Sequence, residues 1–163
     1  MRKITYYLII AIGWFIIVNG CKTNPFNNKA DDQNNSFTDQ KRTYLVKTIY
    51  FDPEKIFTVE EVANDPYWFM EYPLEIEFEN YRPDVPINRL TGRVKLSTLG
   101  WTKIDTNHTA TNSFKVRTIG KLGPVESIDF GSLDITEQNM KGLYYNAGPE
   151  LDYYGINFTA VRK

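Results

Sequence analysis

The stretch PLEIEFENY, residues 73–81, decides the fold class. Leu74, Ile76 and Phe78 alternate with Glu75, Glu77 and Glu79. Successive side chains on a strand point to opposite faces, so this segment buries one face and wets the other. RLTGRVKLSTLGW (89–101) repeats the pattern, with Leu90, Val94 and Leu96 on one face and Arg93, Lys95 and Ser97 on the other. RPDVPINR (82–89) is a turn region with two prolines, so the two segments read as an antiparallel hairpin. One register sets Phe78 opposite Val94, Ile76 opposite Leu96, Glu79 opposite Arg93 and Glu77 opposite Lys95. A slip of two residues keeps the same faces together; a slip of one would bury every charge.

This hairpin accounts for an uneven charge distribution. Residues 52–84 hold ten acids and two bases, whereas residues 85–125 hold seven bases and one acid, in a chain of net charge −1. Opposite charges facing across strands stabilise a pair by about 0.2–1 kcal/mol. The basic block is therefore read as the complement of the acidic one, and no nucleic-acid partner is expected.

Further strands are predicted at TYLVKTIYF (43–51), FKVRTIG (114–120), SIDFGSLDI (127–135), GLYYN (142–146) and YYGINFTAV (153–161), with turns at GKLGP and NAGPE. FTVEEVANDP (57–66) reads as a short helix, with Thr58 as N-cap, Glu61 completing a capping box and Pro66 ending it. About seven short strands and one short helix imply a mainly β chain, an antiparallel sandwich or a small barrel. The order LEIEFENY, RLTGR, an Asn/Thr-rich loop and FKVRTIG resembles the META domain of small bacterial stress and surface lipoproteins. Phe78 and Gly92 would match that family's phenylalanine strand and glycine turn; its cysteine-asparagine element and Thr-rich segment are absent. A lipocalin-like barrel fits the strand count equally.

The chain opens Met1-Arg2-Lys3, and Ile4 to Val18 is a run of fifteen uncharged residues before Asn19, Gly20 and Cys21. A cationic start, an apolar centre and a small residue at the break read as a secretory signal. The run is short of the about 20 residues that a spanning helix needs; an uncleaved anchor is the alternative. Val18, Gly20 and Cys21 in VNGC resemble the lipobox of bacterial lipoproteins, with Asn19 a departure. That resemblance implies lipidation of Cys21, cleavage before it and anchoring through acyl chains, and Lys22 after it leans towards the outer membrane. Residues 22–42 are rich in asparagine, glutamine and charge, with only Phe26 and Phe37 aromatic, and read as a flexible tether. The expected organisation is a signal peptide over 1–20, lipidated Cys21 and tether over 21–42, and one β-rich domain over 43–163.

Chemistry-bearing motifs are few. With one cysteine, no disulfide can form within the chain; with one histidine, His108, a typical zinc site lacks ligands. His108 is expected in a solvated loop. DFGSLD around Ser132 lacks the second glycine of a nucleophile elbow. Glutamates two apart on one open strand face lack the distinct environments that catalytic carboxylate pairs need. No enzyme activity, metal or cofactor is expected.

The aromatics remain, 15% of the residues. DPYWFMEYP (65–73) and YYNAGPELDYYG (144–155) concentrate them, and Trp68, Tyr72, Tyr144, Tyr145, Tyr153 and Tyr154 are the candidate partner contacts. In the competing structural role, Trp68 and Phe69 plug the open end of the core and tyrosines cover strand edges. The expected function is a membrane-anchored, non-enzymatic envelope lipoprotein, a binding or accessory module that contacts protein or glycan through an aromatic-rich surface. The alternatives are a carrier or sensor of a small apolar ligand and a META-like stress-associated lipoprotein.

Overall fold

The structure is a computed structural model. It describes residues 39–105, 110–123, 125–148 and 155–163, without the side chains of 119–121. Cys21, His108, Tyr153 and Tyr154 lie outside the described residues.

The described residues build nine antiparallel strands: β1 (Gln40–Tyr50), β2 (Phe57–Thr58), β3 (Pro73–Tyr81), β4 (Gly92–Leu96), β5 (Gly100–Asp105), β6 (Phe114–Leu122), β7 (Val125–Ile135), β8 (Asn139–Ala147) and β9 (Ile156–Arg162). Among the described residues one α-helix, α1 (Val59–Asn64), follows β2. Strands β3 to β9 pair in chain order, and β1 pairs with both β3 and β9. Eight strands therefore close into an up-and-down barrel, with β2 an added piece on β1. Closure leaves those eight strands without free edges.

The inward face is apolar and aromatic. Tyr44, Ile76, Val94 and Thr102 lie in register across β1, β3, β4 and β5. Phe114, Phe130, Tyr144 and Ile156 do so across β6 to β9. Rings then meet inside the lumen: Tyr44 to Phe78 at 6.3 Å and Phe114 to Phe130 at 4.7 Å between adjacent strands, and Phe78 to Phe114 at 5.8 Å and Phe130 to Phe158 at 6.0 Å between strands that are not neighbours, all between centroids. An eight-stranded barrel is just wide enough for side chains to fill, and these rings fill it.

Three bulges keep large residues inward. Val46 pairs with Ala160 and Thr48 with Thr159, so Lys47 is the extra residue, and Val46 and Ile49 both face in. Near the end of β3, Phe78 pairs with Arg42 and Tyr81 with Gln40, which returns Tyr81 to the core. In β7 the register shifts between Gly131 and Asp134, with Ser132 at φ 47°. A bulge bends and twists a strand, as barrel closure requires.

The predicted hairpin forms, shifted by two residues from the expected register. Ile76 pairs with Val94, Glu77 with Arg93 and Glu75 with Lys95. Arg93 and Lys41 reach Glu77 at 2.8 and 3.0 Å, and Lys163 and Lys95 reach Glu75 at 3.4 and 3.9 Å. Phe78 pairs with Gly92 because of a close approach: a Cβ at Gly92, φ +156°, would stand 1.9 Å from the Glu77 carbonyl oxygen. Leu74, expected inward, is instead half-buried at a register shift between Pro73 and Glu75.

The 89–101 segment is not one strand. It folds back at Ser97–Leu99 into β4 and β5, turning at Gly100, φ +71°. The expected helix is shorter than its pattern, but its capping box is present: Glu61 donates its N–H to Thr58 Oγ1 at 3.1 Å, and Thr58 donates its N–H to Glu61 Oε2 at 2.7 Å. Strand β1 starts three residues before the 43–51 pattern, because Arg42 lies 4.0 Å over the Tyr81 ring and Lys41 pairs with Glu77.

Two outcomes test this frame. Gly92→Ala should destabilise the chain by about 2 kcal/mol or more in urea unfolding, whereas Gly123→Ala, at φ +62° with open space, should cost only about 1 kcal/mol. The Glu77 carboxyl is pushed up by burial, but the hydrogen bonds and charges of Lys41 and Arg93 outweigh this and hold it below its ordinary value of 4.5. Its stabilisation is therefore present above pH 4.5 and lost as the pH falls through the lower folded value. Glu77→Gln should flatten that acid limb in a pH series of unfolding curves.

Candidate binding surface at one end of the barrel

Strand order gives the barrel two distinct ends. One carries Gln40, where β1 begins, with Tyr81, Gly92 and Arg162. The other carries Tyr50, where β1 ends, with Pro73, the Ser97–Leu99 turn and Ile156. Eleven residues of β1 separate the ends by about 33 Å along the strand.

The connection from Tyr50 to Pro73 crosses this second end and is pinned by its own polar groups. Asp65 donates its N–H to the Val62 carbonyl at 3.2 Å and accepts from Trp68 N–H at 3.1 Å and from Tyr67 N–H, through its side chain, at 2.9 Å. These bonds end α1 and turn the chain so that adjacent aromatics diverge. Trp68 packs inward, with its indole N–H donated to the Met70 carbonyl at 3.0 Å. Tyr67 and Phe69, on either side of it, are 85% and 92% exposed. Phe51, Phe57 and Tyr72 meet the Trp68 ring at 5.6, 6.3 and 6.3 Å. Phe51 and Phe57 are themselves exposed. The result is one aromatic cluster, rooted on Trp68 and open to solvent.

Glu71 anchors the last turn. It is buried, and its carboxylate accepts from Ser97 Oγ at 2.6 Å, from Thr98 N–H at 2.7 Å and from Thr98 Oγ1. Alongside, Ser97 donates its N–H to the Tyr72 carbonyl at 2.9 Å, and its hydroxyl oxygen accepts from the Tyr72 N–H at 3.2 Å. Hydrogen bonds to a charged group are among the stronger ones, and here they lock the connection to the β4–β5 turn. Burial, and then the Glu71 charge, raises the Tyr72 hydroxyl above its ordinary range. The same two influences act on Tyr144, more strongly, with Tyr72 adding to them. Both phenols stay protonated, and the carboxylate is committed to donors, so the arrangement braces the segment.

The sequence-predicted contacts fall in different places. Trp68 and Tyr72 come together as the half-buried root of the cluster. Tyr144 is wholly buried inside the barrel, because its strand position faces Phe130 and Ile156, so its ring is not part of the outer surface. Tyr145, on the other face of β8, is half-buried opposite Asp129. Of the two expected plugs, Trp68 plugs and Phe69 points out. Phe51 and Phe57 were missed as contacts, since both sit beside apparent secondary-structure signals; only the fold brings them to Trp68. Trp101 lies elsewhere, stacked at 4.3 Å by Arg93 on the outer wall.

Two surface depressions of about 330 and 280 Å³ lie near the opposite end, around Thr136 with Met140 and around Tyr81 with Leu133, away from the cluster. Among the described residues no group of three or more His, Cys, Asp or Glu could hold a metal, and no helix is long and apolar enough to cross a membrane. Comparison of the chain with known family models, curated proteins and solved structures returns no match.

Inside the barrel, Tyr144 Oη is buried without a hydrogen-bond partner among the described residues. An unsatisfied buried hydroxyl costs about 1–3 kcal/mol. Tyr144→Phe should therefore raise the unfolding midpoint. Glu71→Ala should lower stability by about 2–4 kcal/mol and speed hydrogen exchange at the Thr98 amide, by removing a buried acceptor from three donors.

Proposed function

We propose that this chain is a membrane-anchored envelope lipoprotein whose barrel is a non-enzymatic binding or accessory module, working through the aromatic end rooted on Trp68. The observation that carries the reading is the Tyr67–Trp68–Phe69 triplet: two rings held 85% and 92% exposed on a segment fixed by partly buried hydrogen bonds. Large rings on a braced backbone lose little entropy on binding, and their amphipathic faces suit protein or glycan surfaces. The chain enters β1 at the opposite end of the barrel, which suits attachment there and contact here. Anchoring through acyl chains on Cys21, at the outer membrane, is the second half of the proposal and rests on the VNGC resemblance.

A second reading, a carrier of a small ligand, is favoured by one feature. Tyr144 Oη and Asn146 Oδ1, two residues apart on the inward side of β8, are both buried without hydrogen-bond partners among the described residues. Against it stands the run of touching rings through the lumen.

The anchor and the surface are checked separately. Intact mass of the native chain should show cleavage before Cys21 and added acyl mass, and Cys21→Ser should release the chain from washed membranes. Tyr67→Ser with Phe69→Ser should leave the unfolding curve within about 0.5 kcal/mol of the parent, because both rings are exposed, yet abolish partner pull-down in cell extract. Pull-down that survives the double change would place the binding surface elsewhere.

A further inference from the structure

The acidic block of the sequence divides in the folded chain. Its second half is neutralised on the barrel wall, where Glu75 and Glu77 meet Lys95, Lys163, Arg93 and Lys41. Its first half is not. Asp52, Glu54, Glu60, Glu61 and Asp65 are all exposed, and no ion pair found among the described residues reaches any of them. Local hydrogen bonds hold three of them in place without cancelling charge: Asp52 accepts from the Glu54 N–H, Glu61 caps α1, and Asp65 accepts from the Tyr67 N–H. Lys55 is the one base between Phe51 and Met70.

These carboxylates stand in the same connection as the exposed rings. Asp52 adjoins Phe51, and Asp65 is bonded to the backbone of Tyr67. Exposed rings that share one connection with carboxylates unpaired by any ion pair among the described residues favour one partner chemistry over others. An acidic partner or an anionic lipid surface is repelled, and a neutral glycan leaves the charges unused. A segment bearing apolar side chains between lysines or arginines satisfies both parts of the surface. Resting on the reading of this end as a binding surface, we infer that its partner is a basic amphipathic protein segment, whose apolar side chains cover Phe69, Tyr67 and Phe57 while its cations meet Asp52, Glu54, Glu60 and Asp65.

The test uses the purified full chain in mild detergent and three fluorescent probes: a 14-residue Lys/Leu amphipathic peptide, its Glu/Leu counterpart, and vesicles of zwitterionic phospholipid. Anisotropy titrations are run on the parent, on Tyr67→Ser/Phe69→Ser, and on Glu54→Gln/Glu60→Gln/Asp65→Asn. All substituted side chains are exposed, and unfolding curves check that each variant folds. The expected result is binding of the Lys/Leu peptide alone, weakened at least tenfold by either set of changes and at least fivefold by raising salt from 50 to 300 mM, as screening demands. Binding of the Lys/Leu and Glu/Leu peptides alike, lost in the ring variant and unchanged in the charge variant, would overturn the basic partner and leave the aromatic surface standing. Vesicle binding that needs the rings would replace the protein partner with lipid. Lys/Leu binding indifferent to the ring variant, or no binding to any probe, would overturn the inference; the first would also count against the aromatic end as the binding surface.

Discussion

Closure of the barrel depends on β1 serving neighbours on both of its edges. One edge pairs with β9 from Tyr44 to Tyr50. The other is shared, with β3 taking Gln40 to Leu45 and β2 taking Thr48 and Ile49. If β1 let go, β3 and β9 would become free edges, and the lumen rings would meet water. The bulge at Lys47 lets one strand satisfy both sides while turning Val46 and Ile49 inward. The aromatic interior and the closed ladder therefore support each other: rings of this size need a closed wall, and an eight-stranded wall needs rings of this size to fill it.

The same sharing of β1 creates the candidate surface. Because β3 leaves the β1 edge after Leu45, the chain between Tyr50 and Pro73 has room to lay β2 against Thr48 and Ile49 and to set α1 and Trp68 at that end. Two devices then fix the segment. Trp68 roots it by burial, and Glu71 ties it to the β4–β5 turn. A buried carboxylate with no cation paired to it among the described residues is tolerable because three donors converge on it. The exposed rings are presented by a braced segment.

The charges show how one compositional block can have two roles. Glutamates that alternate along β3 face lysines and arginines and help set the register. Acids in the preceding connection have no such counterpart among the described residues and share that connection with exposed rings. Composition shows only the total; the division between wall and rim is made by the fold.

Several features were legible in the residues alone. Alternation in 73–81, the Thr58–Glu61 capping box and the complementary charges of β3 and β4 follow from local periodicity and nearest-neighbour chemistry, and the mainly β class follows with them. The exact partners in that hairpin were not legible, since a two-residue slip preserves every face; the close approach of Gly92 to the Glu77 carbonyl selects one register. Nor was the break of 89–101 into two strands, because the acceptor that holds Ser97 and Thr98 is Glu71, some 26 residues earlier. Tyr144 and Phe69 looked alike as aromatics in turn-rich segments. Strand phase puts one in the lumen, and a turn stapled by Asp65 puts the other in solvent. Local pattern determines which residues can be strand or helix. Which ring is core and which is surface depends on long-range pairing and closure, contacts between residues distant in sequence.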